Sequence, residues 1–519
     1  LKKISFFLLS LIAGSAIVST TTFEREYDFD GNADMANDVV ETADGGYVLV
    51  GTTGPQDNVR GNYEGLIFKI NSVGDTVWSH TYGGYGTDAF VSILLCPDSG
   101  FVVTGAKFVP SSSFQGWLMR LNKDGLPIFE KLYGGTRYAI DALGQIARTG
   151  DGGYIVIGAT ESFGTNGTKD AWVIRLDENF DTLWTKAYDM GAISDTTSFD
   201  DNGYNIIPFQ NGNFLLTINT CTENCYSNDP RVYASYLLID SLGNVLKHFS
   251  IKGGPKNRFH YLSPDIDNGA IITGSTSKID SAIFLGWRSE DIWIVKLDEN
   301  ADTIWSKIIG QYAVYDGGYC IYPLASGGYI MSAYSQMGAT PEMDYDNFWL
   351  MRLDSFGDTI WVRKWGGPYN DDMYKVIPTS DGGILSVGFR DANSNWLIGP
   401  IPGPADVWVI KTDSNGIILS ATPEPELPKR FVLYQNYPNP FNSATTISFS
   451  IPVACENVKL EVFDILGRTI ATILDGRLEA GNYSFTFDAR EIRSGLYFYR
   501  LNAKGTKDFS CTREFVLIK

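Results

Sequence analysis

An acidic or amide side chain returns at one place seven times along this chain: Asp34, Asp88, Asp141, Asp201, Asn257, Asp316 and Asp371 each stand thirteen residues before a marker at Tyr47, Phe101, Tyr154, Phe214, Ala270, Tyr329 and Ile384. Carboxylates gathered at one mouth of a channel would hold a cation. The plainer chemistry of the same residue type is a side chain accepting the backbone N–H groups of its own turn, repeated because the turn is repeated, and this structural role is the one expected. Asp28, Asp30, Asn32 and Asp34 have the oxygen-rich spacing of a calcium loop but lack the distal Glu that completes an EF-hand. Asp28, Asp30 and Asp34 are therefore the metal candidates, and calcium is the only cofactor in prospect.

Other chemistry is thinly represented. The three histidines are His80, His248 and His260, and no HExxH, GxSxG or CxxC arrangement occurs, so neither a zinc site nor a serine triad is legible. Two carboxylates of a glycosidase, contributed by distant segments, would leave no local motif. No catalytic residue is assigned. With a formal charge of -19 and a pI near 4.6, the chain is no partner for nucleic acid or acidic lipid, both of which need clustered Lys and Arg.

The elements that must position these residues follow from the period. Successive markers are separated by 54, 53, 60, 56, 59 and 55 residues, a repeat of supersecondary size. Each unit holds four strand-sized apolar runs. In the clearest one, Asp354 and Gly357 turn into a strand carrying Trp361, a second strand follows Asp371, Asp381-Gly382-Gly383 turns into Ile384–Gly388, and a longer loop leads to Asp406–Lys411. An aromatic recurs in the first of these strands at Phe23, Trp78, Phe129, Trp184, Trp305 and Trp361, and in the last as Trp117, Trp172, Trp293, Trp349 and Trp408, as packing between neighbouring units would require. Four-stranded units repeated seven times define a seven-bladed β-propeller. Phe23–Tyr27 matches an outermost strand without its own inner three, so it is expected to complete the last blade; Ile417–Ser420 is the rival for that place. The tight turns fall on one face. The long loops, 52–64, 218–233, 275–290, 333–346 and 389–405, fall on the other, where ligands should bind. Tyr63, Tyr226, Trp287, Tyr345 and Trp396 are the ligand candidates there.

The ends carry signals of a different kind. A basic start at Lys2 and Lys3 and a short apolar run to about Val18 make residues 1–19 a secretory signal, and no second apolar run approaches the length of a transmembrane helix. A Pro-rich charged linker covers 422–430. Residues 431–519 then alternate apolar and polar over several short segments and read as an immunoglobulin-like β-sandwich. The expected fold is thus all-β, with a propeller over 23–421 and a sandwich behind it. Cys455 and Cys511, and separately Cys221 and Cys225, could form disulfides, while Cys96 and Cys320 should be buried thiols.

Two resemblances sharpen this. In the sandwich, Asn436-Tyr437-Pro438-Asn439-Pro440-Phe441-Asn442, Asp464-Ile465-Leu466-Gly467-Arg468, Ala480-Gly481-Asn482-Tyr483, Ser494-Gly495-Leu496-Tyr497 and the terminal Lys519 resemble the C-terminal sorting domain of type IX (Por) secretion cargo. This implies Sec export, handling by the type IX machinery, and release or display at the cell surface. Asp354, Gly357 and Trp361 resemble the docking motif of quinoprotein-like propellers, which implies only the order of strands in a blade; seven blades and no adjacent cysteines speak against a quinoprotein dehydrogenase. The function expected is a secreted or surface-displayed propeller that binds a glycan or protein without catalysis. The competing reading is a carbohydrate-active hydrolase or lyase using carboxylates on the long-loop face.

Overall fold

The computed structural model describes residues 20–518 apart from 30–31, 55–62, 111–112, 136–138, 166, 192–199, 222–231, 252–255, 278–289, 311–314, 336–346, 367–369, 393–404, 420–430, 437–438, 479–480, 491 and 505–508. The chain divides into two compact units, Leu1–Leu419 and Ser420–Lys519, and both are nearly all β.

The first unit holds seven four-stranded antiparallel sheets among the described residues. The first sheet runs Ala33–Glu41, Tyr47–Gly54, Glu64–Ile70 and Thr76–Tyr82, in chain order. Five more follow the same plan, led by Ala89–Leu95, Asp141–Arg148, Asp200–Pro208, Asn257–Pro264 and Asp316–Pro323. The seventh contains Asn370–Pro378, Ile384–Ala392 and Asp406–Thr412, and its fourth place is taken by Phe23–Tyr27, which pairs antiparallel with Asp406–Thr412 so that Phe23 faces Lys411 and Tyr27 faces Val407. Ile417–Leu419, the rival closing segment, joins no strand. Each leading strand lies against the leading strand of the next sheet, and the last, Asn370–Pro378, lies against the first, Ala33–Glu41. The succession of sheets is therefore closed, with the leading strands innermost.

Burial explains the sequence pattern strand by strand. Tyr47–Gly54 is buried at every residue, because both of its faces meet neighbouring sheets, and it reads as a continuous apolar run instead of an alternating one. Thr76–Tyr82, outermost, alternates exposed and half-buried positions. Outer strands hold the next sheet through a recurring contact. Trp305 packs on Gly357 of the following turn, whose φ is +78°; a Cβ there would lie 2.7 Å from the indole. Trp78 meets Gly125 and Trp361 meets Gly416 in the same way. Four residues beyond the aromatic, tyrosines donate to the same turns, Tyr27 to the Gly74 carbonyl at 2.6 Å and Tyr188 to that of Gly243 at 2.8 Å.

The second unit packs a sheet of Val432–Leu433, Ala444–Ile451 and Gly481–Asp488 together with a sheet ordered Thr469–Leu478, Cys455–Phe463, Gly495–Lys504, Phe509–Leu517. Both contribute to one core that includes Phe449, Ile451, Leu460, Tyr499 and Phe515. The expected Cys455–Cys511 bridge is not made, and both residues are thiols. Their strands are separated in the sheet by Gly495–Lys504, which puts them about 10 Å apart from strand spacing alone, beyond the roughly 7 Å that a disulfide can span. Cys96 and Cys320 are buried thiols. Cys221 is disulfide-bonded, and Cys225 lies outside the described residues.

Candidate functional site

The leading strands share an irregularity that builds a site. In each, the register with its neighbour slips partway along: between Ala36 and Asp38, Phe90 and Ser92, Leu143 and Ile146, Gly203 and Asn205, Phe259 and Tyr261, Gly318 and Cys320, and Asp372 and Lys375. A β-bulge re-aims one side chain out of the sheet. The residues so displaced include Asn37, Val91, Gly144, Tyr204, His260, Tyr319 and Tyr374, each three positions beyond the recurring acid or amide. Each of the seven keeps some solvent exposure, Tyr204 and Val91 most, although most of their neighbours keep almost none. Six of them, or for Gly144 the adjacent Gln145, line one cavity of about 410 Å³ to which every leading strand contributes.

The cavity is chemically two-sided. Sheets four to seven supply Tyr204, His260, Tyr319 and Tyr374. His260 stacks with Tyr319 at a ring separation of 5.7 Å, and Tyr374 meets Tyr319 edge-on at 5.0 Å. Tyr319 donates its hydroxyl to Asp372 at 3.2 Å. Sheets one to three supply Asn37, Val91 and Gln145. Asn37 donates Nδ2 to the Phe90 carbonyl and Gln145 accepts from the Ile206 N–H, each at 2.8 Å, leaving the Asn37 oxygen and the Gln145 amino group for a ligand. His260 holds Nδ1 3.0 Å from the Gly318 carbonyl, so Nδ1 carries the hydrogen and Nε2 is an acceptor. Burial, with Arg258 adding to it, pushes the His260 pKa down to about 4, and the imidazole is neutral at physiological pH.

Beside these residues lies a buried ion pair. Lys375 is 2.9 Å from Asp38 and donates to the Tyr261 hydroxyl at 2.6 Å, with its ammonium 4.4 Å from the centre of the Tyr261 ring. Burial works against the Lys375 charge, but Asp38, with Tyr261, Tyr322 and Cys320 around it, outweighs burial and holds the pKa well above the ordinary amine value. Asp38 also accepts from the Val39 N–H at 2.9 Å, the Ser92 hydroxyl at 3.1 Å and the Ile93 N–H at 3.0 Å. Both of its oxygens are committed to the fold.

The residues singled out from the sequence fall elsewhere. The recurring residues Asp34, Asp88, Asp141, Asp201, Asn257, Asp316 and Asp371 are all buried. Asp34 accepts from the Phe29 N–H, Asp88 from Gly84 and Phe108, Asp141 from Gly135 and Ser162, and Asp201 from Met190. A buried carboxylate needs such donors, and these bonds are of the structural kind expected from the sequence. Asp28 and Asp34 do come together, and the third carboxylate beside them is Asp406, which the sequence reading omitted; Asp30 lies outside the described residues. Asp34 is pushed up to about 7 by burial, with Asp28 and Asp406 adding to the effect. Tyr63 is only 5% exposed and sits over Gly54, so it offers no ligand surface. Tyr226, Trp287, Tyr345 and Trp396 lie outside the described residues.

In the second unit, Asn436 is buried, its N–H donating to the Tyr499 hydroxyl and its amide to Thr445, both at 2.9 Å. Asn439 accepts from the Val516 N–H, buried Phe441 pairs with the chain at Val516 and Ile518, and Asn439-Pro440 is cis. Asn442 is exposed. Gly467 takes a positive φ in the turn that Asp464 caps, and Arg468 returns to Asp464 at 2.7 Å. After Gly495, Tyr497 stacks on Phe515. Tyr437, Pro438 and Lys519 lie outside the described residues.

Residues 435–516 match the family described as the secretion system C-terminal sorting domain. A type IX sorting tail marks an exported protein, handled by that machinery and destined for the cell surface or the medium. Among the described residues no helix is long and apolar enough to cross a membrane. No curated protein matches the chain. Solved structures similar to it include the extracellular domain of a hybrid two-component system from B. thetaiotaomicron (12% identity, TM-score 0.40, covering 93% of this chain and 56% of that one). Others are the Penicillium chrysogenum alpha-L-arabinanase (10%, 0.40, 76% and 98%) and the alpha-L-arabinofuranosidase of Fusarium graminearum (9%, 0.40, 77% and 99%). None of these likenesses reaches a TM-score of 0.5, and the architecture stands on the strand pairing itself.

Proposed function

We propose that this exported protein is a non-catalytic glycan-binding module: a signal segment over 1–19, a seven-bladed β-propeller over 23–421, a linker, and an immunoglobulin-like sorting sandwich over 431–519, with the glycan seated among the bulge residues. The observation that carries this reading is the two-sided cavity. Tyrosine faces and edges on one side suit the C–H surfaces of a sugar, while Asn37, Gln145 and His260 Nε2 offer both donors and acceptors to its hydroxyls. Asp38 is the one carboxylate lining the cavity among the described residues, and it is fully hydrogen-bonded. Glycoside hydrolysis uses two carboxylates flanking the scissile bond, so this lining favours binding over turnover. The bulges lie three residues in from the recurring acids, which stand at the same end of the strands as the long loops, so the ligand enters from that face.

Tyr204 is 43% exposed, which makes Tyr204→Ala a variant the fold should tolerate. On a glycan array the full chain should show saturable binding, weakened roughly tenfold or more by Tyr204→Ala, and a parallel polysaccharide screen should show no sugar release. Turnover that disappears on substituting a single carboxylate would establish the hydrolase instead. Binding indifferent to Tyr204 would place the ligand elsewhere.

A further inference from the structure

We propose that Asp28, Asp34 and Asp406 bind a calcium ion at the seam where the seven sheets close. One oxygen from each carboxylate lies within 4.8 Å of the others, close enough for a single ion to touch all three. The three come from the segments that make the closure. Asp28 directly follows Phe23–Tyr27, Asp34 lies in the leading strand of the first sheet, and Asp406 opens the strand that Phe23–Tyr27 pairs with. The Asp34 N–H also donates to the Ala405 carbonyl at 2.6 Å, across the same seam.

A second observation points to a missing ligand. Asp34 is 0% exposed; its Oδ2 takes the Phe29 N–H, while its Oδ1 and the Thr53 hydroxyl lie near enough to interact but without the geometry of a hydrogen bond. Elsewhere in the molecule the corresponding bond is made: Thr160 donates to Asp141 and Thr276 to Asn257, each at 2.6 Å. In those two cases the aligned position on the facing strand of the preceding sheet is Gln115 or Tyr233; for Asp34 it is Asp406. The hydroxyls of Thr220 and Ser335 are likewise without a bond, and there too the facing strands begin at Asp170 and Asp291. Only at the closing seam, among the described residues, do three carboxylates bring oxygens within 4.8 Å of one another.

Among the described residues, the charged groups acting on Asp34 are Asp28 and Asp406, both of the same sign. Three carboxylates facing one another with an orphaned buried oxygen call for a hard cation with oxygen ligands. Calcium accepts six to eight such ligands in irregular geometry, with water completing the shell, whereas magnesium demands a near-ideal octahedron and gives up its waters reluctantly. An exported protein also meets calcium at the roughly 0.1 to 1 mM level that extracellular calcium modules are tuned to. The ion would fasten the N-terminal strand to the last sheet, and so fix the circle on which the cavity depends.

The test uses the full chain, with thermal unfolding followed by tryptophan fluorescence in chelator and in added calcium, and calorimetric titration of calcium alone. Saturable binding and a rise in midpoint of about 2 °C or more are expected. Asp406→Asn should abolish the rise while leaving the midpoint in chelator unchanged or higher, because it removes a repulsion; Asp28→Asn, at an exposed position, should do the same if Asp406→Asn folds poorly. Absence of calorimetric binding, an equal shift from magnesium, or a calcium shift that survives both substitutions would overturn the assignment.

Discussion

Replacing Asp38 by Asn should destabilise the first unit by about 3 to 5 kcal/mol. The magnitude follows from what is left behind. Asp38 is buried and receives Lys375 at 2.9 Å, Ser92 at 3.1 Å and two backbone N–H groups. With the carboxylate gone, Lys375 keeps only the Tyr261 hydroxyl at 2.6 Å and the faces of Tyr261 and Tyr322, too little to replace water around a full charge. Lys375→Met alone should cost less, about 1 to 3 kcal/mol, because Asp38 retains its three other donors. The double variant should recover part of the loss, giving a coupling energy of about 2 kcal/mol. Urea unfolding followed by tryptophan emission is the assay, since all 12 tryptophans precede residue 420 and report the first unit alone. A loss below about 1 kcal/mol for Asp38→Asn, or strictly additive losses, would refute the view of this pair as a buried, mutually dependent charge pair.

Gly357→Ala and Gly382→Ala share a positive φ, +78° and +81°, but differ in space: a Cβ at 357 meets the Trp305 indole at 2.7 Å, whereas at 382 nothing lies within 4 Å. The first should cost about 2 kcal/mol or more and the second about 1 kcal/mol, measured by the same unfolding assay. His260 links stability to pH. Its folded pKa of about 4 lies below the unfolded value of 6.5, so the unfolded chain takes up the proton first, and stability present above about pH 6.5 is lost as pH falls toward 4. The ceiling of this contribution is about 3 kcal/mol. His260→Gln should therefore flatten the acid side of the stability profile, and an unchanged slope between about pH 7 and pH 5 would contradict it.

The architecture was legible because it depends on properties repeated in every unit. Gly357 and its counterparts mark turns that only small or left-handed residues can make against an indole, and Phe23–Tyr27 could be placed in the last sheet because its pattern matched Trp78–Tyr82. The cavity was not legible, for a related reason. A bulge has no residue signature, so the position three beyond each recurring acid holds Asn37, Val91, Gly144, Tyr204, His260, Tyr319 and Tyr374, which share nothing as a set until the register slips are known. Asp406 was missed because it lies far along the chain from Asp28 and Asp34 and meets them only in three dimensions, across the closing seam.

The same contrast separates what the fold requires from what it leaves open. A closed set of near-equivalent sheets imposes equivalent demands at equivalent places, and the buried acid or amide answers them in all seven sheets, while a tyrosine donor to the neighbouring turn does so in four. Nothing in such a scaffold requires four consecutive sheets to present Tyr204, His260, Tyr319 and Tyr374 while the other three present Asn37, Val91 and Gly144. At these positions each side chain leaves its own sheet, and several meet the bulge residues or backbone of the next sheet instead. An uneven, aromatic-to-amide lining on an even frame is what the proposed glycan-binding role calls for.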